Sequence, residues 1–111
     1  MNSYSILFNV YTKKKIYIKK YNSGLNVLVA VCDEELVGKS FAEGEFTLTI
    51  TASFYKGEAV TEEEVVDSLT HADIANLVGA RAIKCALDNS FIDKTNVIFV
   101  DGVPHAQMVK M

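Results

Sequence analysis

The run Leu25-Asn26-Val27-Leu28-Val29-Ala30-Val31-Cys32 holds one polar residue in eight, and it constrains the fold more than any other segment. Successive side chains of a strand point to opposite faces, so a strand apolar at neighbouring positions must be covered on both. A chain containing it has to build a sheet with material on either side. Upstream, Ile16 and Ile18 keep strand spacing to Tyr21, and Asn22-Ser23-Gly24 reads as a turn in which glycine takes positive φ. Residues 15–21 and 25–32 are therefore expected to form a hairpin.

The remaining segments alternate between strand and helix signals. Tyr4, Ile6, Phe8 and Val10 recur at every second position, a strand pattern. Asp33-Glu34-Glu35-Leu36-Val37-Gly38 reads as one helical turn with Asp33 at its N-cap and Gly38 as its stop. Phe46, Leu48 and Ile50 alternate with threonines, which predicts a strand with one buried face. Thr61-Glu62-Glu63-Glu64 is a capping box opening a helix whose apolar face is Val65, Val66 and Leu69. A second helix is expected from about residue 72, because Ile74, Val78, Ala82 and Ala86 fall at steps of four. Gly79 inside it implies close packing against a neighbour. Val97–Val100 reads as a buried strand, Asp101-Gly102 as a turn and Ala106–Val109 as a final strand. The expectation is one α+β domain over residues 1–111, a mostly antiparallel sheet of N- and C-terminal strands with two central helices packed on it.

At 111 residues the chain has room for one core, burying roughly two-thirds of the surface its unfolded form exposes. Half the residues are apolar and 23% charged, which argues against disorder. No stretch approaches the roughly 20 apolar residues of a membrane span, and the N-terminus has no signal-peptide pattern. Cys32 and Cys85 are isolated in apolar stretches, which points to reduced thiols in a cytoplasmic protein. Charge is lopsided: residues 1–20 carry +5 and the remaining 91 carry −8. Lys13, Lys14, Lys15, Lys19 and Lys20 suit either phosphate docking or protection of a strand edge.

The stretches VLVAVCDEELVGK, ANLVGARA and DGVPHAQ together resemble an archaeal family known only as domain of unknown function number 424. The resemblance spans roughly residues 15–111 and makes residues 1–14 an addition to the family core. It implies an α+β fold and an archaeal source, and no agreed chemistry.

Candidate site residues follow from the polar positions. Asp101, Gly102, Pro104, His105 and Gln107 cluster on a turn stiffened by the chain's lone proline. Asp101 beside His105 can support proton transfer, or the aspartate caps its own turn while the histidine bonds a nearby backbone group. Arg81 has no acid within one turn of its own helix, so its partner comes from elsewhere in the fold or from a ligand, with Asp101 the first acid beyond the following strand. Asn76, polar in an apolar run, is placed in the same helix and near the same site. Cys32, Cys85, His71 and His105 lack the paired spacing of a zinc site, and no phosphate loop, dinucleotide fingerprint or nucleophile turn is present. No metal or cofactor is expected. The leading expectation is a non-enzymatic binding module whose site comprises Asn76, Arg81, Asp101, Gly102, Pro104, His105 and Gln107. Its partner would be a macromolecule, RNA or a ribonucleoprotein being preferred because tyrosines and Phe8 interleave with the N-terminal lysines. Two alternatives are a small enzyme using Asp101 and His105 in acid–base chemistry, and a structural subunit forming homo-oligomers through a sheet edge.

Overall fold

The hairpin forms as its sequence predicts. A computed structural model describes residues 15–110, and in it β1 (Ile16–Ser23) pairs antiparallel with β2 (Asn26–Asp33), Ile16 opposite Asp33 and Ser23 opposite Asn26. The turn between them is Gly24-Leu25, with Gly24 at φ +60° and Leu25 wholly exposed. The alternating segment Tyr4–Val10 lies outside the described residues. As required of an apolar strand, β2 sends Val29 and Val31 into one core and Ala30 and Cys32 into another.

Among the described residues six strands make the main sheet, in the order β5-β1-β2-β6-β8-β7, where β5 is Glu58–Val60, β6 Ile74–Val78, β7 Ile98–Val100 and β8 Val103–Val109. Its neighbours are antiparallel except β2 and β6, which run parallel at the centre. Two helices, α2 (Glu62–His71) and α3 (Ala80–Asp88), cover one face. There Val65 and Leu69 of α2 and Ala82, Ile83 and Ala86 of α3 bury Val29, Val31, Leu77, Ala106 and Met108. On the other face the short helix α1 (Ala52–Tyr55) and a two-stranded ribbon, β3 (Ser40–Glu43) with β4 (Phe46–Thr49), close over Ala30, Cys32 and Val78. The arrangement is an α+β fold with a mainly antiparallel sheet. The capping box of α2 is present in full, Thr61 Oγ1 accepting from the Glu64 amide while the Glu64 carboxylate accepts from Thr61 N–H.

Four local expectations are corrected, one being that Val97–Val100 is a buried strand: β7 spans Ile98–Val100, with Ile98 48% and Phe99 62% exposed. Residues 74–78 are a strand, and the helix begins only at Ala80. β6 lies between β2 and β8 with Leu77 and Val78 both fully buried, so it is apolar on both faces and merges in sequence with the apolar side of α3. Asn76 therefore sits on a strand. Asp33 precedes a 3-10 turn at Glu34–Leu36 but its side chain does not cap it. Finally, β4 belongs to the outlying ribbon, and Phe46 is 65% exposed where a buried face was expected.

Candidate functional site

Because β2 and β6 run parallel, their C-terminal ends meet, and each delivers a residue to the start of α3. From β2 comes Asp33, 2% exposed, whose carboxylate accepts the amide protons of Arg81 and Ala82, both at 2.9 Å. The first-turn N–H groups of a helix lack intrahelical partners and carry its positive dipole end, which is why a carboxylate is stable there. From β6 the chain passes through Gly79 at φ +107°, a conformation side chains resist. A Cβ at that position would lie 2.6 Å from Asp33 Oδ2, so only glycine leaves room for the acid.

Arg81 closes this junction from outside. Its Nη1 and Nη2 donate to the two Glu35 carboxylate oxygens at 2.9 and 2.7 Å, in the parallel two-point geometry that only a guanidinium provides. Nη2 also donates to the Lys15 carbonyl at 2.9 Å, and Nη1 stands 3.8 Å from Asp33. Burial pushes the Asp33 carboxyl above its ordinary value, against the pull of the Arg81 and Ala82 amides and of the Arg81 charge. Its neighbour Cys32 is pushed up to about 12, by burial first and then by the Asp33 and Glu35 charges. The hydrogen bond from Arg81 to Glu35 raises the guanidinium further. All of this describes a tie between elements, in which Arg81 Nε is buried without a hydrogen-bond partner among the described residues.

The DGVPHAQ segment reaches the same junction by its backbone. The Pro104 carbonyl accepts from Gly79 N–H at 2.9 Å, and Gly102 and Pro104 line a shallow cavity of about 180 Å³ with Asp33, Glu35 and Gly79. Asp101 and Gly102 form the two-residue turn joining β7 to β8, both at positive φ (51° and 79°), the signature of a tight hairpin. Asp101 is exposed, and its N–H donates to Glu43 Oε1 at 2.7 Å, fastening the ribbon to this turn. His105 is half-buried and its Nδ1–H donates to the Leu77 carbonyl at 2.9 Å. The side-chain hydrogen bonds of Arg81 thus run to Glu35 and Lys15, and that of His105 runs to Leu77, so no bonded Arg81–Asp101–His105 set forms.

The sheet brings the other candidates together differently. Pairing sets Val78 opposite His105 and Asn76 opposite Gln107, and cross-strand partners share a face. Gln107 Nε2 donates to Asn76 Oδ1 at 3.3 Å. Ile98, opposite His105, and Val109, opposite Ile74, lie on the same face. This is the face away from α2 and α3; α1 and the ribbon cover its Ala30–Cys32–Val78 part, and the ribbon also comes close to β7. Beyond that cover Ile98 stays 48% and Val109 54% exposed. Among the described residues no three His, Cys, Asp or Glu side chains are placed to hold a metal ion, and Cys32 and Cys85 lie in cores on opposite sides of the sheet. Sequence reasoning missed Asp33, Glu35 and Gly79 as one unit. The available signal was an acid ending a doubly buried strand together with a glycine interrupting an apolar run.

An α+β sheet with a parallel central pair and an acid-capped helix defines the class. Within it, the chain belongs to the family described as "Protein of unknown function (DUF424)", which matches residues 21–111. It is similar to the crystal structure of an uncharacterized conserved protein from Methanopyrus kandleri, at 21% identity and a TM-score of 0.71, over 87% of this chain and 95% of that one. That likeness extends the fold to a second sequence. No match is found among curated proteins. No helix among the described residues is long and apolar enough to cross a membrane.

Proposed function

We propose that this protein is a non-enzymatic binding module that presents the open part of its sheet, from β6 to β7, to a protein partner. The supporting observation is the combination on that surface of exposed Ile98 and Val109 with the polar groups of Asn76, His105 and Gln107. An apolar centre with a few fixed hydrogen-bonding groups is what a protein interface requires. Phosphate recognition asks for cations, and this surface offers none in its β6–β8–β7 part. Of the basic and aromatic groups on β1, Lys19 Nζ and Tyr21 Oη are already bonded to α1 carbonyls, and Tyr21 stacks on Phe54. A catalytic reading of Asp101 and His105 has less support, since the imidazole is held by a backbone carbonyl. Two buried thiols in separate cores fit a reducing, cytoplasmic setting.

The test places a photo-crosslinking residue at position 107, on the open face, and at position 84, on exposed α3. A partner captured from position 107 alone, and lost on Ile98→Asp, supports the reading. Equal capture from both positions would sink it. So would recovery of RNA through Lys15 and Lys20 with steep salt dependence, which would return the RNA or ribonucleoprotein reading.

A further inference from the structure

On one side the sheet ends at β5, and among the described residues that edge carries no further strand. β5 is three residues long and pairs only with residues 16–18 of β1. The direction of its free groups follows from its neighbour. Lys15 gives its carbonyl to the Glu34 N–H on the β2 side, so Ile16 and Ile18 turn their main-chain groups toward β5. Glu58 and Val60 answer them, and Ala59 between them turns its N–H and C=O outward. Glu58 and Ala59 are exposed, and Val60 and Val66 are only partly buried against the core under α2. A bare strand edge is a template for another strand, and folded proteins ordinarily cover it.

The chain itself supplies a cover of the right kind. Residues 1–14, outside the described residues, lead into Lys15, which directly precedes Ile16 and its pairing with Val60. Tyr4, Ile6, Phe8 and Val10 give them strand spacing, and they contain no proline and no acid. From β1 to a position outside β5 is two strand spacings, roughly 10 Å. Residues 11–14 reach at most about 14 Å, enough to step over the end of β5. Charge agrees with that path. Two and three residues beyond the paired Ile16 and Val60 stand Lys14 and Lys13 on one arm, Glu62 and Glu63 on the other. Glu62, Glu63 and Glu64 open α2 at exposed positions, so a basic crossing there meets an acidic turn.

We propose that the outer edge of β5 is a docking site for residues 4–10 of this same chain, added as a further strand. Because the segment leads into β1 at its Val60 end, it runs parallel to β5 and bonds the Ala59 N–H and C=O. Tyr4, Ile6, Phe8 and Val10 close over Val60 and Val66, while Lys13 and Lys14 cross the first turn of α2. This edge is the opposite one from β7, so the site is independent of the open sheet face. A nitroxide on Asn9→Cys in the full chain, read by amide NMR, tests it, the native Cys32 and Cys85 being buried. Signals of Glu58, Ala59 and Glu63 are expected to be lost, and those of Gln107 and Val109 kept. Phe8→Asp should restore the lost signals and speed hydrogen exchange at the Ala59 amide. Lys13→Glu with Lys14→Glu should weaken the loss, and adding Glu62→Lys with Glu63→Lys should bring it back. Mixing nitroxide-bearing chain with isotope-labelled chain lacking the nitroxide separates one molecule from two. Equal loss in that mixture would give the edge to a second copy and overturn the proposal. No loss at β5, or loss centred on β7 and β8, would overturn it as well.

Discussion

Asp33 and Gly79 depend on each other: the acid reaches the helix amides because the residue before the helix has no side chain. Gly79→Ala would need both a strained positive φ and displacement of the Asp33 carboxylate. The expected loss is roughly 2–5 kcal/mol, combining backbone strain and overpacking, read from the urea midpoint at unchanged slope. A loss below about 1 kcal/mol would mean that Asp33 can move aside freely. Asp33 also sets a pH dependence. Its folded value is raised, so the folded chain takes up this proton before the unfolded chain does. The associated stability is fully present below the unfolded value and lost as pH rises through the folded one. Relative to Asp33→Asn, the wild type should therefore gain stability as pH falls from neutrality toward 3.8, levelling off below it. Chemical denaturation of both proteins across that range measures it, and a relative loss on acidification would contradict it. Arg81 shows what was readable here. That its partner lay off its own helix followed from sequence, but which acid it met depended on where β2 ended.

At the level of elements, the legible pieces were those carrying local chemistry. The hairpin followed from alternation and a glycine turn, and the start of α2 from Thr61 and Glu64. Thr61→Ala should cost about 1 kcal/mol, since it removes the acceptor for the Glu64 amide and the hydroxyl donor to its carboxylate, leaving only the Thr61 N–H on that carboxylate. Thermal unfolding of the variant checks this, and an unchanged midpoint would show that water replaces the cap. β6 was illegible for a physical reason. A central strand with apolar residues on both faces shows little hydrophobic alternation in its sequence, and Ile74, Val78 and Ala82 coincide with a four-residue step by running directly into α3. Gly79 was visible, but its positive φ was not, so it read as a packing glycine within one helix when it was the boundary between two elements. The candidate set was only partly legible for the same reason. Asn76, His105 and Gln107 share a face through cross-strand pairing, which a helical reading of residue 76 could not reveal.

For the molecule as a whole, the sheet is a partition. Cys32 belongs to the core on one side and Cys85 to the core on the other, so the two thiols cannot meet while the sheet is intact. Neither should react with an aromatic disulfide reagent in the folded protein, Cys32 least of all with its thiol pushed up to about 12, and both should react on denaturation. Rapid labelling of either thiol under native conditions would show that a core opens. The parallel seam at the centre also bears on time. The hairpin closes over a two-residue turn, whereas β2 and β6 join across a separation of 46 residues near Val27 and Asp73. Closing that long loop costs entropy before any of the seam's contacts form. Assembly should therefore wait on the seam, with the hairpin as an early, unstable fragment and the barrier crossed when β6 docks. Leu77→Ala, which thins the seam, is expected to slow refolding in stopped-flow measurements more than it speeds unfolding. The reverse pattern would place docking after the barrier, and the order in which this sheet is built would have to start elsewhere.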